Sequence, residues 1–137
     1  MTNEVTVVEV YGQNNSGDIR RFTVGDGASI KKGSILRLVD PRTASHAVGT
    51  GDVFAGIASM DKEAGDGSTS ISGWENGDFG MVSSGAILAG NKVKTAGGNN
   101  YVMACTSTDM ASSLAIIIGD ALEAGSDEER IEVRVNN

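Results

Sequence analysis

Few side chains in this sequence keep the company that chemistry requires. The single histidine, His46, stands in the small-residue stretch from Arg42 to Asp52. One imidazole without cysteines or a second histidine makes no recognisable zinc site, and no nucleophile or carboxylate lies at a diagnostic spacing from it. His46 therefore reads as an exposed loop residue. Cys105 is the only cysteine, which excludes an internal disulfide framework; between Ala104 and Thr106 it reads as a small buried filler. The acidic stretch Asp61-Lys-Glu-Ala-Gly-Asp-Gly-Ser68 has the outline of a calcium loop but lacks the alternating oxygen ligands and the closing glutamate. It reads as a solvated turn. No glycine-rich loop ends in Lys-Ser or Lys-Thr, and no nucleophile elbow, paired-cysteine knuckle or dinucleotide fingerprint occurs. The other carboxylates lie in Gly-rich turns, where solubility accounts for them. The expectation is a protein with no catalytic residues, no cofactor and no metal, and so no enzyme.

What such residues would have to be mounted on is a repeat. The stretch Gly25-Asp-Gly-Ala-Ser-Ile-Lys-Lys-Gly-Ser-Ile-Leu-Arg-Leu-Val-Asp40 returns in looser form as Ser84-Gly-Ala-Ile-Leu-Ala-Gly-Asn-Lys-Val-Lys94. In both copies an isoleucine (Ile30, Ile87) precedes by three places a glycine (Gly33, Gly90), the residue best able to take a positive φ where the chain reverses. Farther on, Phe54-Ala-Gly-Ile-Ala58 matches Ile117-Ile-Gly-Asp-Ala121. An acidic loop and a final strand follow each, Ser70–Ser72 in one copy and Ile131–Val135 in the other. The glycine-to-glycine spacing is 23 residues in the first copy and 29 in the second, a difference that fits in one connecting loop. A duplication within one compact domain is the economical reading, since an open solenoid needs at least three repeats.

Composition agrees with that reading. A chain of 137 residues with 39% hydrophobic residues is long enough for one real core, and no apolar run approaches the length that spans a bilayer. Aromatics are few and glycines number 19, so Val, Ile, Leu and Ala must fill a β structure of short strands and tight turns. The net charge of −7 disfavours a phosphate-tracking surface, and no nucleic-acid partner is expected. The N-terminus shows no basic stretch leading into an apolar one, so a soluble chain assembled in a cytoplasm is expected.

In chain order, Val5–Tyr11 is strongly β-forming without a clean polar face and wants cover on both sides. Ile19–Val24 is a second strand with Arg20 and Arg21 at its middle. Residues 1–24 therefore read as an N-terminal arm or hairpin, laid on the barrel or across a neighbouring subunit by strand addition. Pro41 ends the first core strand, and Arg42 to Asp52 reads as a loop. Asn76-Gly77 is a hairpin signal that would set Trp74 opposite Phe79, with Trp74 read as a packing residue. Thr108–Ser113 reads as one helical turn or a loop, and Leu114–Ile118, the most apolar segment, as a central strand. The fold class is all-β: a small β-barrel-like domain over residues 25–137, built from two related halves of about 25–80 and 81–137, with the extended N-terminal segment before it.

Ser29-Ile-Lys-Lys-Gly-Ser-Ile-Leu-Arg-Leu, Phe54-Ala-Gly-Ile-Ala, Ser84-Gly-Ala-Ile-Leu-Ala-Gly and Ile118-Gly-Asp-Ala-Leu-Glu-Ala resemble, in that order, the capsid decoration or cement proteins of tailed phages. The resemblance implies a trimeric β-barrel-like protein on the exterior of an icosahedral head, clamping neighbouring major capsid subunits, with no small-molecule substrate and no membrane partner. Capsid contact would then fall to the N-terminal segment, through Val5, Val7, Val8, Tyr11, Arg20 and Arg21. Two alternatives stand beside it. Gly25 to Leu36 is also similar to the first half of a lipoyl or biotinyl carrier domain, with Lys62 in Met60-Asp-Lys-Glu-Ala64 as the attachment site. The other is a different structural subunit of a phage head or tail, such as a fibre base.

Overall fold

The computed structural model describes residues 3–9, 19–46, 49–97, 100–112 and 114–136. The protein is all-β with almost no helix. Among the described residues eleven strands run in chain order: β1 (Thr6–Glu9), β2 (Ile19–Thr23), β3 (Ile35–Asp40), β4 (Thr43–His46), β5 (Phe54–Ala58), β6 (Ser70–Trp74), β7 (Asn76–Ser83), β8 (Lys92–Thr95), β9 (Tyr101–Ala104), β10 (Gly119–Ala121) and β11 (Arg130–Asn136). One short helix, α1 (Ser107–Ser112), and a 3-10 turn at Leu114–Ile116 lie between β9 and β10.

The strands close into two five-stranded barrels with one topology. The first runs β2-β4-β3-β5-β6, and β2 and β4 close it in parallel. The second runs β7-β9-β8-β10-β11, and the parallel pairing of β7 with β9 closes it in the same way. The turns match in detail. Gly33 and Gly90 take φ of +91° and +87°, and their amides donate to the carbonyls of Ala58 and Ala121 at 2.8 and 2.7 Å. Ile30 bridges Lys62 as Ile87 bridges Gly125. The second glycine pair has a steric cause. A Cβ on Gly56 would sit 2.9 Å from the carbonyl oxygen of Trp74, and one on Gly119 would overlap the carbonyl oxygen of Arg134. Both barrels pinch two strands together at this point, where only glycine fits. The extra length of the second copy lies almost entirely between β9 and β10, where α1 and the 3-10 turn sit.

The barrels share their main core. Val5, Ile35, Phe54 and Ile57 pack with Phe79, Met81, Val102 and Val133 in a single buried cluster, while Phe22, Ile30, Leu36 and Ile71 fill the inside of the first barrel. A hydrogen bond also crosses the junction, from the Ile35 amide to Oδ1 of the buried Asn100 at 2.9 Å. The two halves are thus one packed body.

Several local expectations give way to this topology. Asn76-Gly77 makes no hairpin, because β6 pairs with β5 and β2 whereas β7 pairs with β1, β9 and β11. The chain passes from one barrel to the other through Glu75 alone. Trp74 and Phe79 still meet, at 5.9 Å between ring centroids, as a packing pair across the barrel junction. The stretch after Pro41 is not all loop: Thr43–His46 is the strand that closes the first barrel. Leu114–Ile118 is no central strand. It lies in the inserted connection, ends in the buried Ile118, and the pairing that its apolar content suggested starts only at Gly119. The helical turn does form. Thr106 caps it, accepting from the Asp109 amide at 3.1 Å while Asp109 accepts from the Thr106 amide at 2.8 Å, a reciprocal cap.

Candidate contact surfaces

The N-terminal segment divides between the barrels. β1 pairs antiparallel with β7 of the second barrel, whereas β2 is a wall of the first. The described parts of the two strands do not pair with each other. β1 is built into place rather than loosely laid. Gly80 leaves room for Thr6, since a Cβ there would overlap the Thr6 hydroxyl, and the Arg130 guanidinium donates to the carbonyls of Glu4 and Gly80 at 3.0 and 2.9 Å. The Val5 amide donates to Gly33 of the first barrel at 2.8 Å, so the strand ties both halves.

The expected contact residues separate accordingly. Val5 is buried in the shared core and presents no side chain to a partner. Val7 and Val8 are 42% and 55% exposed, so the described residues do not supply the expected cover on both sides of this strand. The far edge of β1 has no strand on it among the described residues. Tyr11 lies outside the described residues. Arg20 is exposed and its Nε donates to Glu75 at 2.6 Å, a pairing that raises its already high pKa. Arg21 is exposed on the outer face of β2, while Phe22 beside it points into the first barrel.

A cleft of about 260 Å³ opens at one end of the first barrel, with Phe22, Leu38 and Phe54 on its walls and Arg20, Arg42 and Glu75 around it. Leu38, Val39 and Val53 are exposed apolar residues, and the Leu38 amide donates to the Val53 carbonyl at 3.0 Å. The sequence carries no signal for this cleft beyond Arg20, because β2, the β3–β4 turn and β5 are brought around it only when the barrel closes.

The remaining chemical candidates are absorbed by structure. Lys62 is 3% exposed and its ammonium donates to the carbonyls of Asp26 and Glu63 at 2.9 and 3.2 Å and to Asp66 at 3.0 Å. The acidic loop does seat a cation, and that cation is the protein's own lysine. A lysine held this way cannot serve as a swinging arm, so the carrier reading fails on geometry. Hydrogen bonds from the Ser68 amide and then from Lys62 hold the Asp66 carboxyl below its ordinary pKa. His46 is half-buried at the end of β4 rather than exposed in a loop, and burial lowers its pKa. Cys105 is half-buried just past β9, with its thiol pushed up by burial. Among the described residues no three His, Cys, Asp or Glu side chains are grouped to hold a metal ion, and no helix is long and apolar enough to cross a membrane.

No protein-family model matches this chain, and no curated protein sequence matches it. Among solved structures it is similar to the head fiber gp8.5 N base of bacteriophage phi29, with a TM-score of 0.55 and 13% identity over 87% of this chain and 93% of that one. At that identity the likeness is one of fold.

Proposed function

We propose that this protein is a non-catalytic structural component of a phage head, attached to the capsid exterior, where it binds neighbouring major capsid subunits as a homotrimer. The observation that carries the reading is the fold: two fused barrels whose likeness to a phage head fiber base extends over most of both chains. The surface is consistent with adhesion. The buried ammonium groups of Lys62 and Lys94 are tied up in local hydrogen bonds, and exposed valines line a strand whose far edge is open among the described residues. Weak contacts of this kind gain strength by repetition when an oligomer engages several lattice sites at once. Main-chain pairing along the free edge of β1 would add adhesion with little demand on side chains.

The test is cosedimentation with emptied, expanded heads of the parent virus, together with mass measurement in solution. Pelleting with heads and three times the chain mass are expected; a monomer that stays in the supernatant overturns the reading. Deleting residues 1–24 is not a clean probe of the N-terminal contact, because it removes β2 from the barrel and Val5 from the core. Val8→Asp changes only an exposed side chain, and it is expected to weaken pelleting without moving the unfolding midpoint.

The structural neighbour favours a second reading within the same class, a base for a projecting fibre instead of a clamp between capsid subunits. Electron microscopy of reconstituted heads separates the two. Density bridging subunits across the whole lattice supports the clamp, and sparse projections rooted on single sites support the fibre base.

A further inference from the structure

We infer that the cleft at the end of the first barrel is a receptor for a carboxylate flanked by aliphatic side chains, presented by the partner protein to which this chain attaches. The inference rests on the adhesive role proposed above and names the chemistry of one contact. Three observations carry it. First, the cleft joins an apolar lining of Phe22, Leu38 and Phe54 to a rim with two guanidinium groups and one carboxylate. It therefore has an excess of positive charge in a chain whose net charge is −7. Second, the rim charges are unequally used. Arg20 is satisfied by Glu75 at 2.6 Å, whereas Arg42 has no carboxylate partner among the described residues and donates only to the carbonyl of Arg21 at 3.2 Å. Third, Arg42 holds a left-handed φ of +51°, an unfavourable conformation for a residue with a Cβ. The turn before β9 of the second barrel takes the same conformation at Asn100, with φ +62°, and there the side chain repays it through the buried hydrogen bond to Ile35. Asparagine or glycine would suit the Arg42 position better on backbone grounds. The guanidinium, fixed at the mouth of an apolar cleft, has no internal use of that weight.

An arginine in this setting recognises a planar anion with paired N–H donors, and the apolar walls favour aliphatic neighbours on the same segment. A phosphate-rich partner is disfavoured by the net charge of −7.

The test is NMR titration of the labelled full chain with acetyl-Leu-Asp-Leu-amide and, in parallel, acetyl-Leu-Asn-Leu-amide. Saturable shifts at Leu38, Phe54 and Ala55 are expected with the aspartate peptide, with the asparagine peptide about fivefold weaker or more. Arg42→Gln should remove that preference, and Arg21→Gln, on the outer face of the same strand as Arg20, should leave it intact. Equal binding of both peptides, absence of saturable shifts, or an unchanged preference in Arg42→Gln overturns the inference. Shifts that grow with protein concentration alone, at the cleft and at Asp127–Glu129, identify a second copy as the occupant and also overturn it. Head cosedimentation distinguishes the two levels: pelleting without peptide binding removes only the cleft's assignment, and peptide binding without pelleting removes the structural role.

Discussion

The first and second barrels share every strand pairing and put different residues at equivalent positions. Where the first has Lys62 bridging to Ile30, the second has Gly125 bridging to Ile87. A Cβ at Gly125 would overlap Ile131, so the second barrel closes this end by packing and the first by a buried ammonium on three acceptors. Where the first has Gly65 at φ +74°, the second has Glu128 at +66°, whose carboxylate accepts from the Tyr101 hydroxyl at 2.7 Å. Charge divides as well. Residues 19–75 carry seven basic and seven acidic side chains, whereas residues 76–137 carry four basic and eight acidic ones. The second barrel also supplies most of the shared core. The lesson is that one topology can be held by different local devices, leaving one copy as the anchor and the other free to carry a charged, open mouth.

The largest effect is expected from Phe79→Ala, which empties the junction beneath Trp74 and should cost about 3–5 kcal/mol. Urea unfolding followed by Trp74 fluorescence and by circular dichroism should give one coincident transition, since the barrels share a core. Two separated transitions would show the halves to be independent and break the comparison at its root.

Next are the paired glycines. Gly119→Ala forces Arg134 off its strand and should cost about 3 kcal/mol; Gly56→Ala meets Trp74 at a distance that a small shift relieves, and should cost about 1–2 kcal/mol. Denaturant midpoints rank them, and a reversed order would show that the first barrel is the stiffer.

Lys62→Met keeps the aliphatic stem but strips the donors from two carbonyls, at a cost of about 1–3 kcal/mol. Gly125→Ala should also destabilise, by overpacking against Ile131 instead of by lost hydrogen bonds. Only the Lys62 loss should shrink in acid, as Asp66 becomes protonated.

The smallest effect concerns pH. The Lys94 ammonium, followed by the Thr106 amide, holds the Asp109 carboxyl at about 2 against an ordinary 3.8. A carboxyl depressed in the folded state stabilises fully above its unfolded value, and that contribution fades as pH falls through the folded one. Stability should therefore decline between about pH 4 and pH 2, and Asp109→Asn should flatten that limb. An unchanged limb would assign it to Asp66 and Asp120, which are also lowered.

The repeat was legible because its markers are backbone necessities. Gly33 and Gly90 must turn with positive φ, and Gly56 and Gly119 must admit a neighbouring carbonyl, so residue type reports conformation directly. The Asn76-Gly77 signal misled because it is a local turn preference, and the pairings of β6 and β7 inside their own barrels outweigh it. The expectation of cover on both sides of Val5–Tyr11 was less specific: a run of valines states β propensity but not which strand, or which partner, lies alongside. The structure places the proposed contact residues unevenly. Val8, Arg20 and Arg21 are on the surface, but Val5 is in the core, and Arg42 and Leu38 meet Arg20 only across a closed barrel.

The amino-acid order alone determined a duplicated, glycine-punctuated β chain, since turn glycines and apolar runs are local properties. Closure of each half into a separate barrel, the fusion of the two around Phe79, the burial of Lys62 and the opening of an arginine-rimmed cleft were decided by the tertiary structure. Each depends on pairings between strands distant in the chain, and local preference carries no record of those.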